Sequence, residues 1–406
     1  DMGLTFYMTL SLGAFLLAQQ APQSRPWMML AWAATAGGVL SKGIVAAAIP
    51  AAVLILYSIY SRDVAPWRRL HLKWGLALFL CITVPWHWLA ARRLADFLEF
   101  FFVHEHLARY LTPSADREEP WWFFVPVFLA GSLPWTLSAL RSLMGGWRRP
   151  ARYAPFNPVL FLWIWIVFIG VFFSLSDSKL MSYLLPAMPA LAMLVAARPA
   201  DTLQRDFRYT AAITVLLGLS LAVASLNWPR VIATSDRSAV FLPLAKPLGR
   251  IALLLMVSGA FVLVQRVRGA TRDAVFLGAG WCLAWLLLIR AAAAAAPIYS
   301  GANLAAALPV GDRDAPLYSV ATYDQSLPFY LRRTLTLVQY RGELEYGLRQ
   351  APGADIPDVA DFLRLWSSQS RAFAVMERDM FDDFKRRGVP MRLVAQNVNR
   401  VLVSRQ

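Results

Sequence analysis

Charge is scarce in this chain. Only 16% of its 406 residues are Asp, Glu, Lys or Arg, while hydrophobic residues make up 58%. That poverty excludes an ordinary soluble domain, which alternates apolar faces with polar ones, and points to an integral membrane protein. Cysteine is nearly absent. Cys81 and Cys282 both fall inside apolar runs, so they imply no disulfide framework and read as buried small hydrophobes. The sequence also has no Gly-rich phosphate loop, no Ser/His/Asp arrangement and no spaced Cys cluster, which leaves ATPase, hydrolase and haem readings without support. Acidic residues are the rarer charge, 25 against 40 Lys and Arg, giving a net charge of +15. A pI near 10.2 would suggest nucleic acid in a soluble protein. Here the basic residues sit in short connections between apolar runs, where they act as topology signals and contacts to anionic headgroups. No nucleic-acid partner is expected. The chain opens at Asp1 without an initiator Met or a signal-peptide pattern, and reads as lacking its true N-terminus.

What the sequence has in abundance is long apolar runs. A membrane-crossing helix needs about 20 apolar residues. Candidates are 3–20, 27–40, 43–60, 74–91, 121–144, 157–175, 180–197, 209–227, 250–267 and 274–296, about ten spans. The stretch 27–60 is too long for one span, and Gly37, Gly38 and Ser41-Lys42-Gly43 mark its break. Alternate connections are strongly basic: those with Arg62, Arg68, Arg69 and Lys73, with Arg148, Arg149 and Arg152, with Arg198, Arg205 and Arg208, and with Arg266, Arg268 and Arg272. The positive-inside rule puts all of these on one side. The connections between them are mixed or acidic and face outward, and Asp1 and the Lys42 break face outward with them.

From Pro297 the pattern changes. Leu317–Ala321, Thr334–Val338, Arg371–Met376 and Met391–Val403 read as short strands, with amphipathic stretches at Asp324–Leu331, Val359–Trp366 and Phe381–Arg387 between them. The expected architecture is mainly α: a polytopic transmembrane helical bundle over 1–296 and an extracytoplasmic α/β domain over 297–406.

A sparse set of polar groups collects at the outward ends of the spans. The outward connection 92–120 interleaves aromatics with charge and suits an amphipathic helix lying at the interface. Arg109 within it offers a bidentate fork to a phosphate, or else pairs with a carboxylate or a lipid headgroup. His104, Glu105 and His106 are candidate ligands for a divalent metal, although adjacent helical positions point in different directions and surface histidines are the commoner explanation. Lys42 lies at a helix break in apolar surroundings, which marks a ligand site or a side chain snorkelling to the interface. Lys179 and Tyr183 sit on the short turn 176–183, where Tyr183 is equally suited to an interfacial aromatic belt. Asp1 precedes an apolar helix and suits an N-cap.

These residues lie in motifs that resemble a known family. The anchors are Asp1-Met-Gly-Leu-Thr-Phe, Leu-Ser-Lys-Gly at 40–43, His-Glu-His-Leu-Ala-Arg-Tyr at 104–110, Pro-Trp-Trp-Phe-Phe-Val-Pro at 120–126, Leu-Pro-Trp at 133–135, Ser-Lys-Leu-Met-Ser-Tyr-Leu-Leu-Pro at 178–186 and Asp-Gln-Ser-Leu-Pro-Phe-Tyr-Leu at 324–331. In this order they resemble the polyprenyl-phosphate-dependent membrane glycosyltransferases of GT-C architecture, related to the aminoarabinose lipid A transferase and more distantly to protein O-mannosyltransferases. The resemblance implies a sugar donor on a polyprenyl phosphate, a lipid A, glycan or protein acceptor, and a multi-pass protein of the bacterial inner membrane with its C-terminal domain in the periplasm. It implies that Arg109 and Tyr183 contact the carrier phosphate, with Lys179 close by and Lys42 in a Lys-Gly turn of the family. Asp1 matches a family Asp and is the catalytic carboxylate candidate within the chain, while the family's principal catalytic Asp falls upstream. Without that upstream loop the fragment is expected to be inactive. Two positions where the family often has Pro are here Ile44 and Met181. The rival reading is a transporter or flippase of a lipid-linked sugar. Transporters place ionisable groups near the bilayer midplane and show related halves. Charges at span ends and the absence of a repeat favour the enzyme.

Overall fold

The computed structural model of the chain describes residues 1–94, 96–103, 119–147, 156–232, 244–265, 269–312, 314–340, 342–351 and 353–405. It divides into two compact units. One comprises Asp1–Val215 and Val257–Ala279, the other Leu216–Met256 and Gly280–Gln406.

In the first unit, α1 (Met2–Gln20), α2 (Arg25–Lys42) and α3 (Val45–Ser61) form a closely packed set. Gly37 and Gly38 do not break α2, as the sequence suggested. They open its surface instead: a Cβ on Gly37 would meet the Tyr7 ring at 2.5 Å, and one on Gly38 would meet Ala46 Cβ at 2.8 Å. The break falls at Gly43, whose φ of 97° is open to glycine and strained for other residues. The basic connection after α3 holds a short helix, α4 (Ala65–Arg68), and the Arg69 guanidinium beyond it. Arg69 donates to the carbonyls of Ala18, Gln19 and Ala21 at 2.9–3.1 Å, closing the C-terminus of α1. An arginine that the sequence marks as a topology signal therefore also serves as a helix cap.

Next come α5 (Leu72–Arg93), the single turn α6 (Phe97–Glu99), α7 (Phe124–Gly131) and α8 (Thr136–Gly146). The expected span 121–144 is thus two helices. Helix α9 (Pro158–Ser174) has Pro at its first turn and an Asn157 cap that accepts from Leu160 N at 3.1 Å. Asn157 N in turn donates to Tyr57 Oη at 2.8 Å, fixing α9 against α3. The run 180–197 begins as a 3-10 segment, Met181–Ala187, before continuing as α10 (Met188–Ala196). Aromatic packing seals this core: Phe15 stacks on Phe161 at 5.0 Å and Tyr57 lies 4.9 Å from Phe156.

Helices α11 (Ala200–Ile232), α12 (Ala245–Val264) and α13 (Ala270–Tyr299) follow. Among the described residues, five helices are long and apolar enough to cross a membrane: α1, α5, α12 and most of α11 and α13. Shorter apolar helices are Val45–Ser61, Pro158–Ser174 and Met181–Ala196. Only 11% of the apolar window of α5 is buried, so most of its surface is left for lipid. Cys81 on α5 and Cys282 on α13 are exposed, which corrects the expectation that both are buried. An apolar run does not reveal which of its faces meets lipid and which meets protein.

The second unit carries the α/β fold. After α14 (Ala302–Ala307) come β1 (Leu317–Val320), α15 (Ser326–Leu331), β2 (Thr336–Val338), α16 (Glu345–Arg349) and β3 (Asp355–Ile356). Then follow α17 (Val359–Ser368), β4 (Phe373–Glu377), α18 (Arg378–Arg386), β5 (Arg392–Gln396) and β6 (Arg400–Ser404). The strands form one sheet in the order β3-β2-β1-β4-β6-β5, parallel from β3 to β4 and antiparallel across β4-β6-β5. Period-two alternation sends Ala374 and Met376 to a core with Phe362 and Trp366, and sends Phe373 and Val375 to a core with Leu304 and Leu327. Both faces of the central strands are therefore covered. The run 391–403, read as one strand, is a hairpin. Its turn is made by Asn397, whose Oδ1 accepts from Asn399 N at 3.0 Å and Arg400 N at 2.7 Å.

Candidate functional site

Three chain segments converge in the first unit: the start of α1, the end of α2 and the turn before α10. Gly3 lets the first two approach, since a Cβ there would lie 2.5 Å from Ser41 Oγ. Lys42 follows Ser41 directly, and its Nζ reaches Asp1 Oδ1 at 2.9 Å. The other carboxylate oxygen, Oδ2, accepts a short hydrogen bond from Ser182 Oγ. Asp1 makes no side-chain cap on its own helix. Its side chain is 17% exposed while that of Lys42 is 45% exposed, so the pair opens on the ammonium side. One of the three Lys42 donors is spent on Asp1.

The turn 176–183 supplies the rest. Lys179 is buried, 7% exposed. Its Nζ donates to the carbonyl oxygens of Ser176 at 2.6 Å and Glu119 at 2.8 Å. Among the described residues no carboxylate lies within ion-pair distance of it. Burying a cation on neutral carbonyls is costly unless an anion completes the site. The Ser176 hydroxyl donates to Ser178 O at 3.2 Å, and the buried Ser178 hydroxyl has no partner among the described residues. Tyr183 is half-buried with its ring 4.8 Å from that of Phe173, and its backbone N donates to Leu180 O at 3.0 Å.

Of the residues singled out in the sequence, the structure brings Asp1 and Lys42 into contact and places Lys179 and Tyr183 on the turn that also holds Asp1's second partner. Arg109 and the metal candidates His104, Glu105 and His106 lie outside the described residues. Among the described residues, no group of three or more His, Cys, Asp or Glu is placed to hold a metal ion. In chemical terms the site offers one ammonium on a carboxylate, a second ammonium on carbonyls and a tyrosine on the same turn, a donor set suited to an oxyanion such as a phosphate.

Known proteins share this arrangement of chain. A family model described as the aminoarabinose transferase C-terminal domain matches residues 304–405, which include the whole six-stranded sheet. An undecaprenyl phosphate-alpha-4-amino-4-deoxy-L-arabinose arabinosyl transferase of Pseudomonas paraeruginosa is 30% identical over 398 residues, covering 88% of this chain. The transferase of the same description from Pseudomonas aeruginosa is 32% identical over 387 residues, again 88% of this chain. The chain spans 66% of the length of each of these relatives. The crystal structure of ArnT from Cupriavidus metallidurans bound to undecaprenyl phosphate superposes with a TM-score of 0.85 at 30% identity, covering 99% of this chain and 74% of that one. The chain belongs to the aminoarabinose transferase family. The apo form of the Cupriavidus protein matches with the same TM-score, covering 99% of this chain and 73% of its own.

Membership confirms the GT-C membrane fold that the motifs implied. Sequence reasoning nevertheless missed two members of the site. Ser182 stands between Lys179 and Tyr183, and its only signal is its position inside that motif. The other is the backbone carbonyl of Glu119, which no side-chain pattern could announce.

Proposed function

We propose that the protein transfers 4-amino-4-deoxy-L-arabinose from undecaprenyl phosphate to a lipid A acceptor on the outer side of the bacterial inner membrane. The observation that carries this reading is the buried Lys179 ammonium held on two carbonyls, on the same turn as Ser182, beside an Asp1–Lys42 pair open on its cationic side. This cluster occurs in a chain whose fold matches a structure bound to undecaprenyl phosphate. Breaking the glycosidic C–O bond leaves negative charge on the carrier phosphate. Lys42, Lys179 and Tyr183, joined by Arg109, would stabilise that charge as it develops. An acceptor phosphate is already anionic and needs positioning more than a general base. Asp1 has both oxygens engaged, so its part is to orient Lys42 and the 176–183 turn. The outward placement of the site and of the C-terminal domain rests on the alternation of basic connections.

The test uses the protein as its gene encodes it, reconstituted in nanodiscs with undecaprenyl phosphate. Lys42→Met and Tyr183→Phe should each weaken carrier binding about tenfold, the loss of one charge-assisted contact, while thermal unfolding stays within a few degrees of the parent. Unchanged binding in both would overturn the assignment.

A further inference from the structure

A cavity lies in the first unit, at the helix ends opposite Asp1. It encloses about 660 Å³ between the α7–α8 junction, α10 and the starts of α11 and α13. Its walls are apolar, with Trp135, Leu191, Val195, Leu203 and Phe207 prominent among them. Along α10 it runs from Met188 to Ala196, eight residues or about 12 Å. That is close to the depth of one leaflet of a hydrocarbon core about 30 Å thick. The inner end is closed by the α7–α8 junction, which falls in the middle of the expected span 121–144.

The mouth, at the basic connection between α10 and α11, is cationic. Arg198 lines it. Behind Arg198 lies Asp206, 1% exposed, whose two carboxylate oxygens accept from Arg198 and Arg141 respectively. One carboxylate shared by two guanidiniums leaves a positive charge at the mouth. Arg208 on α11 and Arg272 on α13 add to it beside Asp273, which is buried and accepts from Gln265 Nε2. Among the described residues the rim thus sets the guanidiniums of Arg141, Arg198, Arg208 and Arg272 against the carboxylates of Asp206 and Asp273.

We infer that this cavity is a binding site for an anionic phospholipid of the leaflet on the arginine-rich side, with an acyl chain in the slot and the phosphate at the Arg198–Arg141 rim. An apolar slot one leaflet deep fits an acyl chain, and a net positive rim at headgroup level selects for anionic lipid. The site is separate from the Asp1–Lys42–Ser182 cluster, which lies at the opposite helix ends.

Native mass spectrometry of the delipidated protein, titrated with phosphatidylglycerol and with phosphatidylcholine of equal chain length, tests this. Phosphatidylglycerol should bind at least about fivefold more tightly, the factor expected from a single basic contact at a membrane surface. Ala192 and Ala196 line the slot from exposed positions, so Ala192→Trp and Ala196→Trp fill it without touching the core or the arginines. Both variants should lose the tight phosphatidylglycerol adduct. Arg141→Gln should keep lipid binding but lose the preference; Arg272→Gln serves if that variant does not fold. Equal affinity for the two lipids, an adduct that survives both tryptophans, or replacement of phospholipid by polyprenyl phosphate at this site would overturn the inference.

Discussion

At the scale of single residues, the site depends on partners that are quiet in the sequence. Ser182 holds Asp1 Oδ2 while Lys42 holds Oδ1, so one carboxylate ties the end of α2 to the turn bearing Lys179 and Tyr183. A charge-assisted hydrogen bond of this kind contributes about 1.5–3 kcal/mol. Ser182→Ala should lower transfer turnover about tenfold, and Ser182→Thr, which keeps the hydroxyl, should retain most of it. Equal turnover in all three proteins would remove Ser182 from the account. A second residue sets a pH limit on the C-terminal domain. Tyr318 is buried in the sheet core, and burial pushes its phenol above the ordinary 10.0. A raised folded-state pKa gives stability that is complete below about pH 10 and is lost as pH rises through the higher folded value. Calorimetric unfolding from pH 8 to 11 should therefore fall more steeply in the parent than in Tyr318→Phe, which keeps the ring and removes the titrating group. Parallel curves would contradict it.

At the scale of elements, hydrophobic runs were legible and their interruptions were not. The run 157–175 became α9 because Asn157 and Pro158 mark its start and nothing interrupts it. The runs 121–144 and 180–197 split, the first near Leu133-Pro134-Trp135 and the second at the 3-10 segment before Met188. Hydropathy averages over a window and cannot see a change of helix type inside it. Gly37 and Gly38 misled in the opposite way. They look like a breaker, yet they provide the close approach of Tyr7 and Ala46. In the C-terminal domain, β3 escaped notice because it is only Asp355–Ile356, too short for alternation to register. Helix α17 was legible, and its start has a mechanism: Asp358 accepts from Asp361 N at 2.7 Å. Asp358→Ala should cost about 1 kcal/mol. Hydrogen exchange of the first α17 amides should quicken about fivefold, while the amides of β4 stay unchanged. If the α17 amides keep their protection, the cap contributes nothing.

At the scale of the whole molecule, ordered motifs carried what no single residue could. Asp1, Lys42, Lys179 and Tyr183 are each open to an ordinary reading as cap, snorkelling side chain or belt aromatic. Their meeting in one unit follows from topology, because helix starts and ends alternate across a membrane and return these segments to the same side. Basic connections marked that alternation in the sequence, and Arg69 shows that such an arginine also stabilises a helix end. The same asymmetry supplies the cationic rim of the cavity beside Arg198. The central claim is that the outward cluster releases sugar from a lipid-linked phosphate and does not move the intact carrier across the bilayer. The measurement that separates these uses the protein as its gene encodes it, in proteoliposomes loaded with radiolabelled polyprenyl-phosphate aminoarabinose and lipid A. Appearance of free polyprenyl phosphate together with label on lipid A, slowed at least about tenfold by Lys42→Met, is the result this account predicts. Label that crosses the membrane still attached to its carrier, with none on lipid A, would contradict it.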